Sequence, residues 1–255
     1  MPNITRREFA SQMGSSLVTF LLVRTLCRDD VIAGPASGAA NRSLIEMERL
    51  SNALASGKLE PLEWQRGIES SLAHIELRDL LASIDYDRLA RNVVLSGDYE
   101  WVEQIALSRK QGLPGSLSFS PHFYALQKGQ AIVPHGHHNM ATMHMVLRGQ
   151  ARVRQFERVA DDPQYMTIRP TKDKVSRPGE LSTISDQSEN IHWFVALTEP
   201  VYLFNIGVYD IQPGIGYSGR DYVDATGGER LTGGAIRAKK LNQHDAYRLY
   251  GKSGA

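Results

Sequence analysis

The chain has 255 residues, of which 42% are hydrophobic and 22 are glycines, enough for one sizeable domain and a smaller extension. Its 29 Lys and Arg residues nearly balance its 28 Asp and Glu residues, which leaves a formal net charge of +1. Proteins that bind nucleic acid or anionic membranes usually carry a marked excess of positive charge. We therefore expect neither nucleic acid nor a membrane surface as a partner.

Residues 1–40 have the organisation of an export signal: a basic start, an apolar run and a stretch of small residues, which read "TRREF", "LVTFLL" and "AGPASGAA". Arg6 and Arg7, with Phe9 two places on, resemble the twin-arginine signal, whose pathway carries folded proteins across a bacterial inner membrane. The apolar run is too short for a transmembrane helix. We therefore expect a periplasmic protein without a stable membrane anchor; the alternative is a basic tail followed by a short helix.

Residues 41–112 form a second segment, which carries helical rather than strand signals. Apolar residues recur there at three- and four-residue spacing, which is typical of amphipathic helices; the first set is Leu44, Met47, Leu50 and Leu54. We predict three or four helices. They would pack either on the domain that follows or on a second subunit of a homo-oligomer.

Residues 113–255 form the third segment, in which the pattern changes to that of strands. Runs such as "ATMHMVLRGQARVRQFERV", "NIHWFVAL" and "VYLFNIGVY" are rich in β-branched, aromatic and alternating residues and are separated by turn residues. Short strands without intervening helices predict an antiparallel sandwich or barrel. The expected fold is therefore mainly β, with a barrel over about 115–225, a helical segment before it and a C-terminal extension.

Four of the eight histidines lie close together in "VPHGHHNMATMH". His135 and His137 are two residues apart, so on a strand their side chains point the same way, whereas His138 points the other way. His192 in "NIHWF" is a suitable distant third ligand, because Asn190 can make the tight approach to the strand that begins there. Three neutral imidazoles would leave open positions on a metal ion, as catalysis requires. The alternative is that these are ordinary surface or core histidines.

These residues resemble the cupin superfamily. Its first motif is matched in spacing by Gly129, His135, His137 and Gly149, and its second motif by His192. Thr142 stands where most cupins have a glutamate ligand. The resemblance therefore implies a cupin barrel with a three-histidine site.

A narrower resemblance is to the thiol dioxygenases of the cysteamine dioxygenase and plant cysteine oxidase type. "VPHGH", "VLRG", "NIHWF" and "GYSGRDY" occur in the order of that family's motifs, although Pro134 directly precedes His135, where the family usually has one more residue. This resemblance implies Fe(II), or another divalent metal, bound by His135, His137 and His192, and a reaction of a small thiol with O2 that gives a sulfinic acid.

The same resemblance implies further groups beside the metal. Tyr222, Asp221 and Tyr217 are candidates for acid–base or hydrogen-bonding work. His144 shares its strand parity with Thr142 and so points into the barrel, where it is either a neighbour of the ligands or a fourth ligand. Two other functions stay open: a cupin enzyme acting on a non-thiol substrate, and a non-catalytic cupin that binds a metal or a small molecule.

Overall fold

A computed structural model describes residues 38–73, 75–107 and 109–252 of the chain, without the side chain of Lys110. The predicted export signal lies almost wholly outside these residues; its last positions, from Gly38, already belong to the first helix, in which Ala40 is buried. No helix in the described part of the chain is both long and apolar enough to cross a membrane.

Four helices open the described chain: α1 (Gly38–Ala55), α2 (Pro61–Leu72), α3 (Leu77–Ser83) and α4 (Tyr86–Asn92). Helix α2 begins at a proline in its first turn, and Glu60 and Glu63 form a capping box around that turn. The apolar stripe that predicted α1 is buried, with Leu44 and Met47 fully inaccessible. The helical prediction is thus confirmed as far as Asn92.

The strands that follow are all antiparallel to their partners and form two sheets. The first sheet has the order β1-β2-β9-β4-β7, made of Trp101–Gln104, Ser120–Leu126, Val201–Tyr209, Met140–Arg148 and Leu181–Ser185. The second has the order β10-β3-β8-β5-β6-β12-β11, made of Arg220–Val223, Ala131–His137, Ile191–Ala196, Ala151–Asp161, Tyr165–Ser176, Ile236–Leu241 and Glu229–Arg230.

Strands β2 to β9 have the connectivity of a jelly roll. Within the two sheets they follow the orders β2-β9-β4-β7 and β3-β8-β5-β6, so consecutive strands mostly cross from one sheet to the other. This is the double-sheet arrangement that cupins use. The predicted fold class, a mainly β double-sheet jelly roll preceded by helices, is confirmed.

The helices cover the outer face of the first sheet. Trp64 of α2 is fully buried in one apolar cluster with Phe123 and Phe204, which belong to β2 and β9. Helix α2 also donates from Gln65 Nε2 to Thr183 Oγ1 on β7 at 3.2 Å. We expected the helices to pack either on the following domain or on a second subunit. In the structure they pack on the following domain.

One boundary drawn from the sequence is wrong. Residues 41–112 were expected to contain no strand, but Trp101–Gln104 forms β1 and pairs with β2 at the edge of the first sheet. Its exposure alternates over only four residues, too short a pattern for a sequence to specify. The pairing of β1 with β2 adds one strand to the sheet, and Trp101 of β1 packs edge-on against Phe123 of β2.

The C-terminal extension covers the second sheet. Helix α5 (Gln243–Tyr250) buries Ala246, Tyr247 and Tyr250 in one cluster with Val133 and Trp193 of that sheet. Each sheet is therefore covered on its outer face, the first by the helical segment and the second by α5.

Candidate metal centre

A β-bulge in β3 aims two of the histidines into the barrel. Strand β3 pairs with β8 at Ile132–Phe194 and again at His135–His192, so one extra residue lies on β3 between these pairs. Pro134 sits in this bulge, which suits a residue that has no N–H to give to the sheet. Because the bulge shifts the alternation, Ile132, His135 and His137 all line the same internal cavity.

His192 faces this pair from the neighbouring strand. It is the direct cross-strand partner of His135, and the two Nε2 atoms lie 2.9 Å apart. One ring nitrogen from each of His135, His137 and His192 falls within 4.8 Å of the others. The three side chains are 1%, 5% and 2% exposed. We call these residues the three-histidine cluster.

Burial keeps these imidazoles in the form that binds metals. It lowers the pKa of His137 to about 3 and the pKa values of His135 and His192 well below the usual range, and the positive charge of Arg220 acts in the same direction. Nδ1 of His135 lies 2.7 Å from the carbonyl oxygen of Val133. A proton on that Nδ1 leaves Nε2 unprotonated and free to bind an ion.

The cluster fits a divalent metal. Nitrogens that bind one ion at about 2.1 Å lie roughly 3.0–3.4 Å apart when the bond angle is 90–110°, and the His135–His192 separation is close to this range. Nδ1 of His192 is buried without a hydrogen-bond partner among the described residues, which is a costly arrangement. Imidazole ligands suit iron, zinc, copper and nickel.

Thr142 and His144 line the cavity, but both are engaged by Asn205. The Thr142 hydroxyl donates to the carbonyl oxygen of Ile206 at 2.7 Å and accepts from Nδ2 of Asn205 at 2.6 Å. The same Nδ2 lies 3.2 Å from Nε2 of His144, whose ring meets His192 edge-on at 5.0 Å between centroids. His144 thus points into the barrel as expected and lies beside the three-histidine cluster rather than within it.

Arg220 and Tyr217 complete the cavity wall. Burial would lower the pKa of Arg220, but the charge of Glu100 raises it above its usual value, with Nη1 and Oε1 2.9 Å apart. Tyr247 Oη donates to the other oxygen of Glu100 at 2.6 Å. The Tyr217 hydroxyl lies 3.3 Å from Nδ1 of His137. Arg220 was not predicted to be a site residue, although it belongs to the "GYSGRDY" string that carried the family resemblance.

Two residues expected beside the metal do not line the cavity. Asp221 does not line the cavity; its carboxylate contacts Nε2 of His138 at 2.7 Å and Nη2 of Arg158 at 3.4 Å. The reason is the strand alternation of β10, which turns Asp221 away when Arg220 points inward. Tyr222 is paired with His135, with the rings 6.0 Å apart, but it packs towards Tyr247 and is not part of the cavity wall.

The backbone of His137 is held by Asn190 and Arg158, whose contacts were not predicted from the sequence. Nδ2 of Asn190 donates to the carbonyl oxygen of His137 at 2.8 Å, and Oδ1 of Asn190 accepts from its N–H at 3.3 Å. Nη2 of Arg158 donates to the same carbonyl at 3.1 Å and to Oδ1 of Asn190 at 2.7 Å. The tight turn expected at Asn190 is made by Glu189, which has φ 53°.

These contacts explain the glycine between the two histidines of β3. A Cβ atom on Gly136 would lie 2.4 Å from Oδ1 of Asn190 and 2.9 Å from Nη2 of Arg158. Any larger residue would push these groups away from His137. We call Asn190 and Arg158 the His137 clamp.

Comparison with known proteins finds similarity to solved structures. No protein-family model and no curated protein matches it. It is similar to a crystal structure of a cupin superfamily protein from Desulfitobacterium hafniense, at 13% identity over 48% of this chain and 88% of that chain, with a TM-score of 0.33. It is also similar to a recombinant oxalate oxidase in complex with glycolate, at 19% identity over 47% of this chain and 55% of that chain, with a TM-score of 0.33.

A third similar structure is the 11S globulin from Wrightia tinctoria, at 20% identity, with a TM-score of 0.29. The match covers 36% of this chain and 21% of the globulin chain, so only a small part of that protein corresponds. The scores of all three matches are low. The assignment of the jelly roll rests on its strand order, and the chemistry of the site rests on its own residues.

Proposed function

We propose that this protein is an Fe(II)-dependent cupin dioxygenase that oxidises a small thiol to a sulfinic acid. The observation that carries the proposal is the charge of the cavity. The possible ligands are three neutral imidazoles, and Arg220 is the one charged residue among the described residues that line the cavity. A divalent ion held there keeps its full positive charge, which favours an anionic ligand such as a thiolate.

Iron bound by the three-histidine cluster would supply positions for the thiolate and for O2, together with the redox chemistry that joins them. Both oxygen atoms pass to sulfur, so that RSH and O2 give RSO2H. The rest of the work falls to the chain. Buried walls exclude water, and the fixed cluster holds the reactants close together, which lowers the entropic part of the barrier.

Arg220 and Tyr217 are suited to receive the substrate. The positive charge of Arg220 favours the thiolate over the thiol. Burial raises the pKa of Tyr217, so its phenol remains protonated at neutral pH and acts as a hydrogen-bond donor rather than a base. Of the three residues that the resemblance implied beside the metal, Tyr217 lines the cavity with its hydroxyl 3.3 Å from Nδ1 of His137, and we assign it the hydrogen-bonding role.

Metal analysis and oxygen uptake test the proposal together. Protein purified without oxygen should contain iron and should consume one O2 for each thiol converted, with a mass gain of two oxygen atoms in the product. Oxygen uptake with a non-thiol substrate alone would instead favour another cupin enzyme. Bound metal without oxygen uptake for any compound would favour a binding protein.

We further propose that the protein acts outside the cytoplasm. Support comes from the adjacent Arg6 and Arg7 and from the apolar and small-residue stretches after them, which lie outside the described residues except for Gly38, Ala39 and Ala40. A pathway for folded proteins would let the chain bind iron in the cytoplasm before export, which avoids competition from other metals outside.

A further inference from the structure

An open cleft of about 620 Å³ lies next to the metal cavity. Its wall is formed by two stretches of loop and strand and by two residues of β9; the lining residues are Gln104, Leu107, Ser116, Ser118, Gly207 and Tyr209, with their chain neighbours. None of the described lining residues carries a charge. The hydroxyls of Ser116 and Ser120 and the Gln104 amide give the cleft a neutral, hydrogen-bonding wall.

The cleft and the metal cavity meet at one side chain. Tyr209 lines both spaces. Gly207 lines the cleft, and a Cβ atom there would lie 3.0 Å from Cε of Met140, which lines the cavity, and 3.0 Å from the ring of Tyr209. The ring of Tyr209 also meets Tyr217 at 5.0 Å between centroids. The two spaces therefore adjoin at the side chain of Tyr209.

The helical segment holds the outer wall of the cleft in place. Glu48 of α1 is only 8% exposed, and its carboxylate accepts from both the backbone N–H and the hydroxyl of Ser118 at 2.9 Å. Nδ2 of Asn52 donates to the same hydroxyl at 3.0 Å. Gln111, in the loop before this wall, donates to the carbonyl oxygen of Ser83 in α3. The wall is thus a fixed surface rather than a free loop.

We propose that this cleft binds the uncharged, hydrogen-bonding tail of a substrate whose reactive group occupies the metal cavity beside Tyr209. The cavity is small, about 70 Å³, whereas the cleft can hold several further atoms of a ligand. A charged tail would lose hydration without finding a partner of opposite charge among the described lining residues, and a purely apolar tail would leave the hydroxyls of Ser116 and Ser120 unpaired. The identity of the reactive group as a thiol rests on the proposed function.

Binding of three thiols to the full chain loaded with cobalt(II), in the absence of oxygen, tests this inference. The probes are N-acetylcysteamine with a short tail, N-(2-mercaptoethyl)gluconamide with a long neutral tail, and N-(2-mercaptoethyl)succinamate with a charged tail. Thiolate binding to cobalt is read from the charge-transfer absorption. We expect the gluconamide to bind at least about tenfold more tightly than either of the others.

A blocking variant and a control locate the effect. Ser116 is exposed, so Ser116→Trp should leave the barrel folded while filling the cleft, and the ratio of affinities between the long and short neutral thiols should fall to about one. Tyr165→Trp, on β6 of the other sheet, should keep the ratio of the original protein. Equal affinities for the three thiols, or tightest binding of the charged one, would overturn the cleft proposal and leave the proposed function standing. If none of the three thiols changed the cobalt absorption spectrum, both the cleft proposal and the proposed function would be overturned.

Discussion

Replacing Gly136 by alanine should weaken metal binding without unfolding the barrel. The new Cβ would lie 2.4 Å from Oδ1 of Asn190, a distance at which one of the two groups must move. The side chain of Asn190 can yield more readily than the strand, so we expect the His137 clamp to open. His137 would then keep its place in the chain but lose the hydrogen bonds that fix its backbone.

The size of the effect follows from the bonds at stake. Asn190 makes two hydrogen bonds to the backbone of His137 and accepts one from Arg158. Losing a buried partner costs about 1–3 kcal/mol of unfolding free energy. Loss of groups that orient a metal ligand typically lowers metal affinity about 10- to 100-fold, which corresponds to about 1.4–2.8 kcal/mol.

Chelator competition for cobalt(II) or zinc(II), with thermal unfolding of the metal-free protein, measures both quantities. Gly216→Ala is the matched control, because a Cβ there meets no atom within 4 Å. Asn190→Ala should lower the affinity to a similar extent, and the double variant should be little worse than either single one, since both changes open the same clamp. Unchanged metal affinity in Gly136→Ala would refute the role of the clamp.

Three further predictions follow from the site and the signal. Alanine at any one residue of the three-histidine cluster should abolish turnover and lower iron content while the barrel stays folded, as checked by metal analysis and circular dichroism. His138→Ala should retain iron, because the His138 side chain is 44% exposed and contacts Asp221. His144→Ala should keep its iron and lose about 10- to 100-fold in rate, since its Nε2 faces Asn205; loss of most of the iron would make His144 a ligand instead. Replacing Arg6 and Arg7 together by Lys should retain the precursor in the cytoplasm, and unchanged export in cell fractionation would indicate the general secretory route.

The sequence was sufficient to predict the barrel and the inward-pointing histidines, because both depend on local patterns. Helical spacing predicted the buried face of α1, and the two-residue spacing of His135 and His137 predicted that they share a face. His192 was predicted as a third ligand, but its direct cross-strand pairing with His135 was not predicted. Nothing in the local pattern specifies which strand of the second sheet lies beside β3.

The parts that were missed depend on contacts between distant residues. The bulge at Pro134 looked like a departure from the family motif, yet it is the feature that turns both Ile132 and His135 inward. The alternation of β10 selects Arg220 rather than Asp221 for the cavity, and a shift of one residue would reverse that choice. Such register information is not present in a single sequence.

The charge of the metal cavity is set by segments outside the jelly roll. Arg220 enters the cavity from β10, but its guanidinium is paired with Glu100, which belongs to the chain between the helices and β1. Glu100 in turn accepts from Tyr247 of α5. Because a buried arginine without a partner would be very costly, the N-terminal and C-terminal segments together make it possible to keep a cation beside the three-histidine cluster.

The helical segment also fixes the outer wall of the cleft through Glu48. The two extensions are therefore parts of the site, and the barrel alone would have neither its cation nor its cleft.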